Sequence, residues 1–348
     1  MERNSEYLKK LWRPSIEKPE NNNKIILSHN EAPFSVIKRL RRYPNCYKLY
    51  EKIAKYWNLN VNNILITAGS EQGIRFIFDA YVEPKDKIAY PWPTFGILDV
   101  FSYYRRANVI HLNYNKNRHI NLETIPTDIT LFYLANPDNP TGAAYSFIEI
   151  ENALKHLKKA IFLLDEAYWG YYNINSLKLL KKYDNLIIVR SFSKAFGIAA
   201  ARVGVIISNP EKIEVLRKLK PINELPGDSI KAALKALKKN NIVYKNRKQV
   251  EKWKSIFKNQ KFINLKYVET FGNFILLETK HRIFFGEFLE INGIEIRYNF
   301  ETPLQNHIRI TVGTNKEMRK TLSILKQADS IFYKQHQNLI ELQNHTKR

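Results

Sequence analysis

The sequence predicts an α/β fold in which a large domain on a mostly parallel sheet is followed by a smaller α+β C-terminal domain. Three observations carry this. The chain has 348 residues, room for two domains of the common size, roughly 100–200 residues each. From about residue 45 to residue 208, short apolar runs alternate with amphipathic stretches, the pattern of βα units around a sheet. Beyond Pro210 this alternation gives way to Lys-rich helical stretches and two isolated apolar runs.

Residues 1–30 mix charge, prolines and the polar run Glu20-Asn21-Asn22-Asn23, and read as an extended N-terminal arm. The large domain is expected over 31–208, with strands at 63–67, 87–90, 130–134, 160–164, 186–190 and 203–207, each dominated by apolar residues. One helix is well marked among them. Ile74, Ile77, Phe78 and Tyr81 recur at i, i+3, i+4 and i+7, and Ser70 is placed to cap its start. The small domain is expected over 209–328, with strands at 271–278 and 306–312, and 329–348 reads as a polar helical tail. There is no internal repeat and no low-complexity segment.

With 44% hydrophobic and 26% charged residues, wholesale disorder, collagen-like repeats and a disulfide-stapled mini-protein are excluded. Lys and Arg number 56 against 33 Asp and Glu, a formal charge of +23. The lysines are spread along the chain with no block of five or six like charges, so the charge reads as a solvated surface. Neither nucleic acid nor a membrane is expected as a partner. Cys46 is the sole cysteine, which excludes an intrachain disulfide and suits a reducing compartment. Residues 1–10 carry no apolar h-region and no run approaches the ~20 residues of a membrane span, so a cytoplasmic protein is expected. No metal site is expected.

Four segments carry chemistry, each where an expected strand ends, and ligands of open α/β sheets collect at such ends. They are Ala68-Gly69-Ser70-Glu71-Gln72-Gly73, Asn136-Pro137-Asp138-Asn139-Pro140-Thr141-Gly142, Asp165-Glu166-Ala167-Tyr168, and Ser191-Phe192-Ser193-Lys194-Ala195-Phe196-Gly197 with Arg202. The first offers backbone N–H groups and a helix dipole, which suit a phosphate, although an ordinary capped helix has the same signature. Asp165 closes an apolar strand, and a buried carboxylate needs a cation or several donors. Lys194, flanked by Ser191, Ser193 and Arg202, fits a nucleophilic amine or, taken alone, a purely phosphate-binding cup.

In this order and spacing, together with Asn30-Glu31-Ala32-Pro33, Arg42-Tyr43-Pro44 and Ile308-Arg309-Ile310-Thr311-Val312-Gly313-Thr314, the segments resemble the pyridoxal-phosphate enzymes of the aspartate-aminotransferase-like fold (fold type I). The resemblance is nearest to the histidinol-phosphate aminotransferase branch of the class I/II aminotransferases and runs from about Leu27 to Leu325. It implies pyridoxal 5′-phosphate as cofactor and catalytic roles for Lys194, Asp165 and Tyr168. Lys194 would bond the cofactor and shuttle a proton, and Asp165 would pair with the pyridine nitrogen. Asn139 and Tyr168 would reach the ring's phenolic oxygen. Gly69, Ser70, Glu71, Ser191, Ser193 and Arg202 would hold the phosphate, and Phe95 would stack on the ring where relatives usually carry tyrosine. Tyr43 would reach the cofactor of a neighbouring subunit, which implies a homodimer. Arg309 would clamp the substrate α-carboxylate, with Arg297 and Asn30 also facing substrate. The implied substrates are small: an amino acid, glutamate foremost, and a keto or aldehyde acceptor, phosphorylated or not. The same residues would serve a decarboxylase of a phospho-amino acid, similar to threonine-phosphate decarboxylases. A scaffold that kept the fold without catalysis is the remaining reading, disfavoured by retention of Lys194, Asp165, Asn139, Tyr168 and Arg202 together.

Overall fold

The structure, a computed structural model, describes residues 3–12, 27–239 and 241–345. Seven strands form the large sheet: β1 (Ile64–Thr67), β2 (Lys87–Trp92), β3 (Asn108–Asn113), β4 (Leu131–Ala135), β5 (Ile161–Asp165), β6 (Leu186–Ser191) and β7 (Gly204–Ile207). Their order is β1-β7-β6-β5-β4-β2-β3. Runs such as Ile64-Leu65-Ile66 and Leu186-Ile187-Ile188-Val189 lack polar alternation because both faces of the sheet are covered, and β1, β4, β6 and β7 are buried at every position. Neighbouring strands are parallel except at β7, which runs antiparallel between β6 and β1. Since β1 and β6 therefore point the same way, the loops after β1, β2, β4, β5 and β6 leave one end of the sheet.

Helices cover both faces. On one lie α2 (Tyr47–Trp57), α5 (Phe147–His156) and α7 (Gly227–Lys238), which bury Leu49, Ile53, Ile150, Leu154, Ala233 and Leu237 with Ile64 and Ile66 of β1. On the other lie α1 (Asn4–Lys10), α3 (Gly69–Tyr81), α4 (Ile97–Tyr104) and α6 (Pro210–Arg217), which bury Leu8, Ile74, Ile77, Leu98, Ile213 and Leu216 with Leu65. The switch of face from Ile64 to Leu65 to Ile66 is the period of two of a strand. A second, antiparallel sheet has the order β10-β9-β8, from β8 (Lys266–Val268), β9 (Phe274–Glu278) and β10 (His307–Thr311). It packs with α8 (Ile242–Lys258), α9 (Arg282–Ile291) and α10 (Asn315–His345) around Trp253, Phe257, Leu277, Phe285, Ile308 and Leu325.

Several elements differ from the sequence expectation. The N-terminal stretch, expected to be extended, contains α1, docked through buried Leu8 and through Arg3, which pairs with Asp86 at 2.6 Å. The polar run at 20–23 lies outside the described residues. α6 and α7 lie beyond residue 208 yet complete the helical layers of the large sheet. The expected strand at 271–278 begins at Phe274, because residues 271–273 form a turn. β3 and β8 had no counterpart among the expected strands. α10 runs unbroken across residue 329, where buried Asp329 accepts hydrogen bonds from the backbone N–H groups of Ile263 (2.7 Å) and Asn264 (2.9 Å). Among the described residues no helix is long and apolar enough to cross a membrane.

Candidate active site

A cavity of about 230 Å³ opens at the end of the large sheet where those loops emerge. Ten residues singled out in the sequence line it: Ser70, Glu71, Phe95, Asn139, Asp165, Tyr168, Ser191, Ser193, Lys194 and Arg202.

One wall is the turn from β1 into α3. Gly69 sits at φ +83°, and a Cβ there would lie 2.6 Å from Nη2 of Arg202. Behind it, Gly204 of β7 stands so close that a Cβ would fall 2.2 Å from the carbonyl carbon of Gly69 and 2.4 Å from the nitrogen of Ser70. Two glycines thus bring two strands and a guanidinium onto one helix start. The expectation that Ser70 caps the helix is corrected. The N-cap position is Ala68, no side chain caps the helix, and Ser70 lies in its first turn with the cavity before it. A first turn without a side-chain cap presents its N–H groups to whatever occupies the cavity.

The floor comes from β4, β5 and β6. Asp165, only 6% exposed, receives the Tyr133 hydroxyl on Oδ2 (2.9 Å) and the Ala167 N–H on Oδ1 (2.9 Å). Burial, aided by the nearby carboxylates Asp138 and Glu166, still pushes its pKa up to about 6 against those two donors. Glu166 itself is neutralised away from the cavity. Arg190 meets its Oε2 through Nε (2.9 Å) and Nη2 (2.7 Å), and the guanidinium lies 5.0 Å and 4.9 Å from the ring centres of Trp57 and Trp169. Asp138 accepts from the hydroxyls of Thr94 (2.8 Å) and Thr141 (2.5 Å), which ties the loop of Phe95 to the loop of Asn139.

Lys194 stands with its Nζ 5.5 Å from the centre of the Tyr168 ring. Burial, and next the charge of Arg309, lower its pKa below the ordinary lysine value, while Asp165 opposes them. Tyr168, itself pushed up to about 12 by burial, stays protonated at neutral pH. Ser191 Oγ accepts from the Ser193 N–H (3.1 Å), and Ser193 Oγ is buried without a hydrogen-bond partner.

Arg309 and Arg297 do not line the cavity; the second sheet meets it through Asn139. Arg309 of β10 donates from Nη1 to Asn139 Oδ1. Its guanidinium carbon lies 5.2 Å from the Phe274 ring centre and 5.8 Å from that of Phe300. Arg297 exchanges two backbone hydrogen bonds with Arg309 and places its own guanidinium 5.9 Å from the same Phe300 ring. Tyr43 and Asn30 are not brought to this cavity within one chain. They line a separate groove of about 660 Å³ with Glu31, Arg42, Pro226 and Ile230, and Tyr43 is 60% exposed.

Sequence reasoning missed Tyr133 and Ala135 on the cavity wall, and gave no role to Pro137 and Ala167, which lie within its motif segments and also line it. For Tyr133 a signal existed, a lone hydroxyl in the apolar run Leu131-Phe132-Tyr133-Leu134-Ala135, two residues from the strand's end. Among the described residues no cluster of His, Cys, Asp or Glu could hold a metal. The cavity instead suits a ligand with a basic nitrogen and an anionic group. Asp165 is a buried carboxylate short of a cation, and Ser193 Oγ, Arg202 and the uncapped turn at Gly69 are donors short of an anion.

Residues 19–325 match the family model Aminotransferase class I and II. A histidinol-phosphate aminotransferase of Brachyspira hyodysenteriae is 32% identical over 331 residues, covering 87% of this chain and 91% of that protein. A dihydroxyacetone phosphate transaminase of Campylobacter jejuni is 31% identical over 305 residues, covering 82% and 81%. The crystal structure of histidinol-phosphate aminotransferase from Sinorhizobium meliloti in complex with pyridoxal-5′-phosphate superposes with a TM-score of 0.78 at 21% identity, covering 85% of this chain and 84% of that one. A lysine, a carboxylate and a phosphate-ready turn gathered at one sheet end are what pyridoxal phosphate needs, and with these matches the chain belongs to the class I and II aminotransferases, with pyridoxal phosphate as its cofactor.

Proposed function

We propose that this aminotransferase takes its amino group from glutamate and delivers it to a small keto or aldehyde acceptor. A phosphorylated acceptor is favoured by the names of the two relatives. The observation that carries the reading is Arg309, a planar guanidinium set between Phe274 and Phe300 and hydrogen-bonded to Asn139 at the cavity. An arginine fork matches a carboxylate bidentately, so it would orient an α-amino acid by that group.

Pyridoxal phosphate, when bound, supplies an electron sink joined to the substrate's α-carbon. The chain does the rest. Ser70, Ser191, Ser193, Arg202 and the N–H groups of the α3 start would hold the phosphate. Asp165 would hold a proton on the ring nitrogen, Asn139 and Tyr168 would donate to the phenolic oxygen, and Phe95 would cover the ring. Lys194, its ammonium destabilised by burial and by Arg309, would attack a carbonyl as the amine and then carry a proton from the α-carbon. The single buried cysteine suits a reducing compartment, which supports a cytoplasmic enzyme.

The test adds pyridoxal phosphate and then L-glutamate to the purified protein and follows the absorption spectrum. Conversion to the pyridoxamine form is expected. An unchanged spectrum with glutamate, but carbon dioxide released from a phospho-amino acid, would replace this reading with decarboxylation.

A further inference from the structure

We propose that Tyr133 is a positioning residue for this reaction, its hydroxyl holding the Asp165 carboxylate ionised and aimed for a protonated ring nitrogen. The inference rests on the role assigned to Asp165 under the proposed function.

Tyr133 is fully buried on β4, and the β4–β5 register pairs Ala135 with Asp165, so the tyrosine sits two residues back along the neighbouring strand. From there its hydroxyl reaches Oδ2 at 2.9 Å, while the Ala167 N–H takes Oδ1. Burial and the adjacent Asp165 keep the phenol's own pKa well above its ordinary value, so at neutral pH the hydroxyl only donates. The charged and titratable groups facing Asp165 are Asp138, Glu166, Tyr168 and Lys194. Two of these are carboxylates that disfavour its charge, and burial disfavours it further. A donor fixed on one oxygen shifts the group toward its charged form. Without the hydroxyl, a single backbone N–H would stand against burial and two acids, and the carboxyl would take up a proton at a higher pH.

The consequence is read by comparing two ligands on the full-length chain stripped of cofactor: pyridoxal phosphate, and the analogue with carbon in place of the ring nitrogen. Only the first can use a charged Asp165, so the ratio of their dissociation constants, from fluorescence quenching, reports that charge. Tyr133→Phe, which keeps the ring, is expected to raise by about one unit the pH at which the ratio collapses, and so to shrink it about twofold at pH 7 and about tenfold at pH 5. Tyr145→Phe is the control. It removes an equally buried hydroxyl, one that accepts from the Ile120 N–H and does not touch Asp165, and should leave the ratio unchanged. Asp165→Asn should abolish the preference. If it does, while Tyr133→Phe keeps the wild-type ratio and midpoint, the proposal is overturned. An equal weakening of both ligands in Tyr133→Phe would also overturn it, since a merely structural tyrosine predicts that result. If Asp165→Asn leaves the preference intact, the role of Asp165 itself fails, and the proposal falls with it.

Discussion

Asp165 carries opposite demands before and after the cofactor arrives. Its folded pKa, about 6, lies above the ordinary aspartate value of 3.8, so its contribution to stability is fully present below 3.8 and is lost as pH rises through 6. At about 1.4 kcal/mol per pH unit, ionising this buried group costs about 3 kcal/mol at neutral pH. Asp165→Asn should therefore stabilise the cofactor-free protein at pH 7.5 by up to about that amount and leave it unchanged near pH 4, measured by urea unfolding. The loaded variant should lose on the order of 10²-fold or more in turnover, because an isosteric amide lacks the charge. A variant no more stable than wild type at pH 7.5 would contradict the account. Arg309 gives a second test at this scale. Arg309→Lys keeps the charge and loses the fork, so the glutamate half-reaction, followed by stopped-flow absorbance, should slow by about tenfold or more. Cofactor affinity should barely change, since Arg202 and the turn at Gly69 are untouched.

Among the elements, those legible in the sequence were the ones with unmixed hydrophobicity. β1, β4, β5, β6 and β7 are covered on both faces, and burial leaves few residue types able to fill them. β3 was not legible because it is an edge strand paired with β2 alone, half exposed, with His111 turned to stack on Trp92 at 4.8 Å. The helix start at Ser70 was misread for a related reason: a serine beside a glycine marks a cap, and nothing local says that the first turn is kept open for a ligand. Of the site, most of the residues that line the cavity were legible from their motifs, whereas Tyr133 and Arg190, which hydrogen-bond neighbouring carboxylates, resemble ordinary strand residues until the register is known. Gly204 was likewise invisible, because its contact depends on the pairing of β7 with β1. Gly204→Ala should cost on the order of 1–3 kcal/mol, the usual toll of overpacking. It should also weaken pyridoxal phosphate binding, since the methyl group would displace the Gly69–Ser70 backbone. Thermal unfolding and a cofactor titration check the two effects separately.

At the scale of the molecule, the surface around Tyr43 is apolar beyond what a lone chain explains. Phe34, Val36, Ile37, Leu40 and Tyr43 are all exposed near the groove that Tyr43 and Asn30 line. This supports the homodimer that the motif around Tyr43 implies, with that tyrosine serving the partner's cavity. Sedimentation should give twice the 41.1 kDa of one chain. A mixture of Lys194→Ala and Tyr43→Ala chains, unfolded and refolded together, should recover about a quarter of wild-type activity through mixed dimers that carry one intact site. Recovery no greater than the sum of the two separate variants would exclude a shared site.

The antiparallel strand β7 also sets a schedule for synthesis. β1 emerges early, but among the described residues its ladder is made with β7 alone, from Ile64 with Ile207 to Thr67 with Gly204. Contacts so far apart in the chain form late, after the intervening loop has been closed. A nascent chain that has just extended past Lys194 therefore holds Asn139, Asp165 and its lysine, yet Gly69 still lacks the strand that backs it. Tight capture of the cofactor is expected only after the segment from Arg202 to Ile207 has been made and paired with β1.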